Sequence, residues 1–129
     1  MHLTQSAIHG VPLIVIEGEL DQASKQAARD VVSEILQGPY PPRNLLIDLT
    51  DCTFLDSGGL SVLLSALAML PADGWLGLIG ASAGTNRVLT YTGFLDNEKV
   101  RFFSSSSDVA ASLAREKKLA KAPDQERKK

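Results

Sequence analysis

NLLIDLTDCTFLDSGGLSVLLSALAML, residues 44–70, is the stretch that decides the fold of this chain. The apolar run at 45–49 is typical of a strand that is buried on both faces, as strands of parallel sheets are. A short polar loop follows and ends in Asp56-Ser57-Gly58-Gly59. A helix comes next, and its predicted buried stripe consists of Leu60, Leu63, Leu64 and Leu67. Ser57 therefore stands where this helix begins.

Strand and helix signals also alternate upstream of this stretch. A weak strand at 3–9 and a stronger one at 11–20 are close enough in sequence to form an antiparallel hairpin. A helix then runs from an N-cap at Asp21 to a stop at Gly38-Pro39. The predicted buried residues of that helix are Ala27, Ala28, Val31, Ile35 and Leu36.

The alternation continues downstream. Strand signals occur at 75–80, where Trp75 is expected to begin the strand and pack, and again at 100–103. Between them, residues 81–93 predict a helix with Val88 and Leu89 as its buried pair and a C-cap at Gly93. A last helix is expected from Asp108 onward. Its predicted cap and buried residues are Ser107, Val109 and Leu113.

The resulting order is β-β-α-β-α-β-α-β-α. Such alternation builds an α/β fold with a mixed, mostly parallel open sheet that is antiparallel in its first hairpin. Right-handed crossovers that proceed in one direction place the helices mainly on one face of the sheet. The alternation ends near residue 114. We therefore expect one domain at 1–114 and a basic, flexible C-terminal tail at 115–129.

The composition is that of an ordinary globular domain. Of the 129 residues, 44% are hydrophobic and 22% are charged, which is enough apolar material for one core. Cys52 is the only cysteine, which excludes an intramolecular disulfide and a cysteine-rich metal site. No apolar run approaches the roughly 18 residues of a membrane span, and the first residues lack a secretion signal. We therefore expect a cytoplasmic protein without a membrane span.

Charge is unevenly spread along the chain. Residues 1–114 carry a net charge of −6, whereas residues 115–129 carry +4. An acidic body argues against nucleic acid as a direct partner. The basic end is interpreted as a solvated terminus rather than a binding arm.

Three strand-to-helix loops are expected to share one edge of the sheet. In parallel strands joined by helices, these loops emerge at the carboxyl ends of the strands, which is the usual binding edge of open α/β sheets. We call it the carboxyl edge; its loops are residues 18–21, 54–59 and 80–84. The topology therefore predicts that Asp21, Ser57 and Ser82 are neighbours.

Ser57 has two interpretations at this edge. As a helix N-cap, its hydroxyl would accept a hydrogen bond from a backbone amide of the first turn. As a modification site, its exposed hydroxyl would carry a phosphate at a helix N-terminus, where the unpaired amides favour anions. Such a group adds about −1.5 to −2 charges at pH 7, and Asp56 beside it would sharpen the change in surface potential.

The segment LLIDLTDCTFLDSGGLSVLL resembles the signature of the STAS domain, in particular that of the bacterial anti-sigma factor antagonists. Its matching residues are Asp48, Phe54, Leu55, Asp56, Ser57, Gly58, Gly59 and Leu60. Two further elements, GELD at 18–21 and TGF at 92–94, match in the right order. The resemblance covers residues 3–114.

The resemblance implies a regulator that is not an enzyme and needs no cofactor or metal. Ser57 falls on the serine that a partner kinase phosphorylates, and Asp21 and Asp56 fall on residues that face this kinase. The implied partners are an anti-sigma factor serine kinase and a serine phosphatase. The implied partner-binding residues are Asp21, Asp56, Ser57, Gly58, Gly59 and Ser82. Many members carry Ser or Thr where this chain has Gly58, which removes a second acceptor.

Two other functions are compatible with an exposed serine at this edge. A STAS protein also serves as a subunit of a transporter or signalling scaffold, which needs the same edge without a phosphate cycle. A nucleophilic Ser57 would need a base, and neither His2 nor His9 has the order or spacing of a Ser-His-Asp arrangement. Cys52 follows a buried strand and is interpreted as a small core residue.

Overall fold

The computed structural model describes residues 1–81 and 83–127. The chain forms a sheet with helices on both faces. In chain order the elements are β1 His2–Ile8, β2 Val11–Leu20, α1 Lys25–Leu36, β3 Leu45–Leu49, β4 Cys52–Leu55, α2 Ser57–Met69, β5 Leu76–Ala81, α3 Ala83–Tyr91, a 3₁₀ turn Phe94–Asp96, β6 Val100–Phe103 and α4 Ser106–Arg127.

The sheet is mixed and mostly parallel, as predicted. Its strand order is β1-β2-β3-β5-β6, and β4 pairs with β2 outside this path. The β1–β2 hairpin is antiparallel, whereas β2, β3, β5 and β6 run parallel to one another. The carboxyl ends of the parallel strands therefore meet at one edge, where the helices begin.

The prediction of a polar loop after β3 is wrong, because residues Cys52–Leu55 form a further strand, β4. Leu13–Val15 of β2 pair with β3, and Gly18–Leu20 pair with β4 in the same parallel direction. Gly18 adopts φ +92 at the shift in register, and its N–H donates to the Asp51 carbonyl at 3.0 Å. β3 and β4 thus continue one strand across a break at Thr50-Asp51. The four-residue strand was missed because Thr53 and Phe54 at its centre are both exposed.

Two apolar clusters fill the two faces of the sheet. The larger lies beneath α1, α2 and α3, and the smaller lies beneath α4, so most helices share one face as predicted. The large cluster includes Ile14, Ile16, Ala28, Val32, Ile47, Val62, Leu63, Ala66, Leu78 and Leu89. The small cluster consists of Leu13, Leu46, Trp75, Ile79, Val109 and Leu113.

The predicted faces of α1 and α2 are partly wrong. In α1 the buried residues are Ala28, Val32 and Leu36. The predicted Val31 and Ile35 are partly buried against the same core, whereas the predicted Ala27 is exposed. In α2, Leu64 is 51% exposed, although it was expected in the stripe. α2 is apolar around most of its circumference, so spacing alone does not select the side that packs. The buried residues of α2 are Gly58, Gly59, Val62, Leu63, Ala66 and Leu67.

Gly93 follows α3 as the predicted C-cap glycine. It adopts φ +73, the left-handed conformation that ends many helices. Its N–H donates to the Thr90 carbonyl at 3.1 Å, and the Thr92 N–H donates to the Val88 carbonyl at 3.1 Å. Leu89 is buried as predicted, whereas Val88 is only partly buried.

α4 begins earlier than predicted. Ser105, not Ser107, accepts a hydrogen bond from the Asp108 N–H at 3.2 Å, and the helix starts at Ser106. Val109 and Leu113 are buried as predicted. The helix continues to Arg127, so the backbone of residues 115–127 is helical. The domain boundary at residue 114 and the flexibility of the tail stay predictions.

Arg101 fixes the direction of α4 across the sheet. Its guanidinium lies 4.6 Å from the centre of the Trp75 ring, and its Nη1 donates to Glu116 Oε1 at 2.6 Å. Trp75 also packs on Phe103, with 6.3 Å between ring centres. Because Arg101 lies near the start of β6, α4 runs back along this strand from the carboxyl edge.

Candidate functional site

Ser57 is the first residue of α2, and it is exposed. The predicted N-cap role of Ser57 is wrong, because Asp56 occupies that position. Asp56 has an extended backbone, and its Oδ1 accepts a hydrogen bond from the Gly59 N–H at 3.0 Å. A carboxylate is a strong N-cap that also complements the helix dipole. The Ser57 hydroxyl is therefore not needed to begin the helix.

Asp56 also links two loops of the carboxyl edge. Its Oδ2 accepts a hydrogen bond from the Gln22 N–H at 3.3 Å, so its two oxygens bind one backbone amide each. Gln22 lies in the loop between β2 and α1. The predicted proximity of the Asp21 loop and the Ser57 joint is therefore present in the structure.

Gly58 and Gly59 allow the two loops to approach. A Cβ on Gly58 would lie 2.8 Å from both Cα and N of Gln22. A Cβ on Gly59 would overlap the Leu20 carbonyl oxygen and lie 2.6 Å from Leu55 Cδ1. Both glycines are buried, so their observed role is this close backbone contact. Their predicted contact with a partner stays a prediction.

Asp21 organises the turn before α1 rather than capping the helix. Its Oδ1 accepts hydrogen bonds from the Ser24 hydroxyl at 2.9 Å, the Ser24 N–H at 3.0 Å and the Ala23 N–H at 3.1 Å. The hydrogen bond from the Ser24 hydroxyl, followed by the one from its N–H, holds the pKa of the Asp21 carboxyl below its usual value. Asp21 therefore presents a fixed negative charge near Ser57.

The third loop of the carboxyl edge includes Ser82, which lies outside the described residues. Its predicted place beside Asp21 and Ser57 stays a prediction. Before Ser82 in the chain, Gly80 adopts φ +48, and a Cβ there would lie 2.6 Å from Thr50 Oγ1. The Thr85 hydroxyl donates to the Cys52 carbonyl at 3.2 Å. The start of α3 is thus tied to β4, the strand that leads into Ser57.

Arg29 and Ser61 belong to this site, and the sequence interpretation missed both. Arg29 Nη2 donates to Ser61 Oγ at 3.0 Å, and Ser61 Oγ donates to the Gly58 carbonyl at 2.5 Å. Ser57, Ser61 and Ser65 recur at four-residue intervals, the spacing of one helix face. That signal was readable, but nothing in the sequence indicates that Arg29 of α1 faces it.

Cys52 is a buried core residue, as predicted. Burial raises the pKa of its thiol. Among the described residues, no group of three His, Cys, Asp or Glu side chains is arranged to hold a metal ion. Within the same residues, every helix is too short or too polar to cross a bilayer.

The profile of the STAS domain matches residues 4–109 of this chain. The chain belongs to the STAS domain family. This confirms the resemblance carried by residues 45–64, 18–21 and 92–94. Among curated proteins, none matches this chain.

Several solved STAS-like structures share the fold. An anti-sigma factor antagonist from Mycobacterium paratuberculosis is 23% identical, with a TM-score of 0.76 over 88% of this chain and 93% of that one. The phosphorylated form of the Bacillus cell fate determinant SpoIIAA is 19% identical, with a TM-score of 0.66 over 87% and 99%. A sulfate transporter family protein from Wolinella succinogenes is 20% identical, with a TM-score of 0.67 over 83% and 88%. At these identities the likeness establishes the fold alone.

Proposed function

We propose that this STAS domain is an anti-sigma factor antagonist. Unphosphorylated, it binds an anti-sigma factor that is also a serine kinase, and so releases a sigma factor in the cytoplasm. Phosphorylation of Ser57 ends the binding, and a serine phosphatase restores it. In this role the chain is a binding protein rather than an enzyme and takes no cofactor.

The observation that carries the proposal is the exposed Ser57 beside Asp56, with the Asp21 loop held next to it through Gln22. A kinase that docks on the carboxyl edge would meet the serine hydroxyl at the first residue of a helix. Since Asp56 already caps the helix, modification of Ser57 removes no hydrogen bond on which the fold depends.

The charge of the carboxyl edge supports a switch. Exposed or partly exposed carboxylates in its loops and beside them come from Glu19, Asp21, Asp51 and Asp56. A phosphate of about −1.5 to −2 charges would increase the negative charge of these four carboxylates by up to about half. Covering such a group with a partner surface costs desolvation free energy unless the partner supplies matching cations. A surface that binds when unmodified is therefore expected to release when phosphorylated.

Phosphorylation by the kinase is the first test. The protein is incubated with ATP and its cognate anti-sigma factor kinase, and the modified residue is mapped by mass spectrometry. We expect a single phosphate on Ser57 and none on the Ser57→Ala variant. A phosphate confined to any other residue contradicts the proposed switch.

Binding to the same kinase is the second test. Ser57→Ala should bind as tightly as the natural protein, whereas Ser57→Asp should bind at least tenfold more weakly. Ser6→Asp, which adds the same charge at an exposed residue of β1, is the matched control and should bind normally. Equal binding by Ser57→Ala and Ser57→Asp would favour the alternative function, a STAS subunit of a transporter or scaffold without a phosphate cycle.

A nucleophilic role for Ser57 ranks below both. Among the described residues, no hydrogen bond joins the Ser57 hydroxyl to an imidazole, and His9 lies at the β1–β2 turn, where β2 begins. An activated serine needs such a base. A fluorophosphonate probe is therefore expected to leave Ser57 unlabelled, and labelling would restore the enzyme hypothesis.

A further inference from the structure

Arg29 is a cation between α1 and α2 that has a buried N–H without a hydrogen-bond partner. It is partly buried. Its Nη2 donates to Ser61 Oγ at 3.0 Å, while its Nε is buried without a hydrogen-bond partner. Among the described side chains, no carboxylate forms an ion pair with it. A guanidinium carries five N–H donors in a planar fork that suits carboxylate and phosphate oxygens.

The two helices place Arg29 close to the modification site. Arg29 is the fifth residue of α1 and Ser61 is the fifth residue of α2, while Lys25 and Ser57 are the first residues of the same helices. The Gln22–Asp56 hydrogen bond joins the chain just before both helices. α1 and α2 therefore start side by side, and Ser57 lies one turn from Ser61, the hydroxyl that Arg29 already contacts.

Lys25 shares the relevant face of α1 with Arg29. Residues four apart on a helix are neighbours, with Cβ atoms about 5–6 Å apart. The two cations repel each other across this distance, and an anion between α1 and α2 would relieve that repulsion. Ser57 and Ser61 have the same four-residue spacing on α2, so the cationic pair and the serine pair run alongside each other.

We propose that Arg29, supported by Lys25, binds the phosphate of phospho-Ser57 within this chain. The Arg29 guanidinium exchanges the Ser61 hydroxyl for phosphate oxygens one turn nearer the helix start. The proposal rests on the modification of Ser57, but it concerns what holds the phosphate once it is present. Its consequence is a phosphorylated domain that is more stable than the unmodified one, with the phosphate fixed on the carboxyl edge.

Asp56 opposes this binding only in part. Both of its carboxylate oxygens are engaged by backbone amides, those of Gly59 and Gln22. Two cations on the facing helix and the unpaired amides of the first turn of α2 act on the phosphate from the other side. Asp21 adds a further negative charge near Ser57, and its carboxylate is engaged by Ser24 and by the Ala23 N–H. We expect the two cations and the amides to outweigh both carboxylates, so that the dianionic phosphate is favoured.

The test uses the full chain with phosphoserine incorporated at position 57 by an expanded genetic code, so that it needs no kinase. The second pKa of the phosphate is followed by ³¹P NMR. Nearby cations favour the dianion and lower this pKa, so Arg29→Gln should raise it by about half a pH unit or more. Lys25→Gln should raise it by a smaller amount. Arg43→Gln, just before the amino end of β3, is the matched control and should leave it unchanged.

Folding of each variant is checked by circular dichroism, and Arg29→Lys provides a second variant that keeps the charge without the fork. We expect Arg29→Lys to give a phosphate pKa between those of the natural protein and Arg29→Gln. Urea unfolding at low salt should show the phosphorylated protein to be more stable than the unmodified one, and Arg29→Gln should abolish this difference. An unchanged phosphate pKa in Arg29→Gln overturns the proposal, whatever Lys25→Gln does.

These outcomes are independent of the proposed function. If no kinase modifies Ser57 but the phosphate pKa still depends on Arg29, the regulatory proposal fails and the phosphate site stands. If the kinase modifies Ser57 and the phosphate pKa does not depend on Arg29, the regulatory proposal stands and the phosphate site fails.

Discussion

The backbone N–H of Gln22 donates to the carboxylate of Asp56, although the two residues are 34 positions apart in the chain. The same carboxylate caps α2 through Gly59. One side chain thus sets both the start of the helix and the position of the neighbouring loop. The arrangement of the carboxyl edge depends on Asp56 more than on Ser57, which is the residue proposed to change.

Removing the Asp56 carboxylate should loosen this edge. Asp56→Ala is expected to lower the free energy of unfolding by about 1–2 kcal/mol, since an N-cap is lost. Asp56→Asn retains one oxygen acceptor and should lose less. Urea unfolding measures both changes, and hydrogen exchange at the Gln22 amide should become faster in each. Asp51→Ala, a neighbouring exposed carboxylate, serves as the control, and equal stability of Asp56→Ala and the natural protein would contradict the bridging role.

A methyl group on Gly59 should destabilise the domain despite the higher helix propensity of alanine. In an open helix, Gly→Ala stabilises by roughly 1 kcal/mol. Here the new Cβ would overlap the Leu20 carbonyl oxygen, and overpacking of this kind costs about 1–3 kcal/mol. Thermal and urea unfolding of Gly59→Ala should therefore show a net loss. Ser57→Ala in the same turn should stay within about 0.5 kcal/mol of the natural protein, and a stabilised Gly59→Ala would show that the contact is not tight.

The pH dependence of stability should include a contribution from Asp21. Its folded pKa is lowered, chiefly by the Ser24 hydroxyl. The unfolded chain therefore binds the proton more readily, so this contribution is fully present above the ordinary Asp pKa of about 3.9 and is lost as the pH falls through the folded pKa. Ser24→Ala should raise the Asp21 pKa, as measured by ¹³C NMR titration of the carboxyl, and reduce the loss in acid. Ser33→Ala in α1 is the control. An Asp21 pKa that is unchanged in Ser24→Ala would refute the role of the Ser24 hydroxyl in lowering it.

Lys99 should stabilise the end of α2. Its Nζ donates to the Leu67 and Leu70 carbonyls, at 3.3 Å each, where the helix dipole favours a cation. Lys99→Met keeps the aliphatic part of the side chain and is expected to lower the free energy of unfolding by about 1 kcal/mol. Glu98→Gln changes the neighbouring exposed charge without touching these carbonyls, and it should have little effect in urea unfolding. A loss of equal size in the control would point to general surface charge instead.

The order of elements and the sheet direction were predictable because they follow from hydrophobic spacing and turn residues. The proximity of the Asp21 and Ser57 loops was predictable, since parallel strands bring both loops to one edge of the sheet. The hydrogen bonds within the site were not predictable. Aspartate and serine both cap helices well, so the adjacent pair Asp56-Ser57 gives no local reason to prefer one of them as N-cap.

Long-range contacts explain the other differences. β4 has too few apolar residues to be recognised alone, and it forms because the end of β2 offers unpaired backbone groups. Arg29 faces α2 because the two helices pack side by side, and its Nη2 reaches Ser61 Oγ across that contact. Both depend on residues that are distant in sequence.

The direction of α4 shows where this domain can be labelled or attached to a surface without covering the carboxyl edge. The helix starts beside the carboxyl edge and reaches the level of Arg101, near the opposite end of β6, at Glu116. With 22 residues it is about 33 Å long, so its second half extends beyond the strands on the side away from Ser57. A fluorophore or surface tether attached to that half would leave the carboxyl edge unobstructed. The domain can therefore be immobilised in a single orientation that presents Ser57 to the solution.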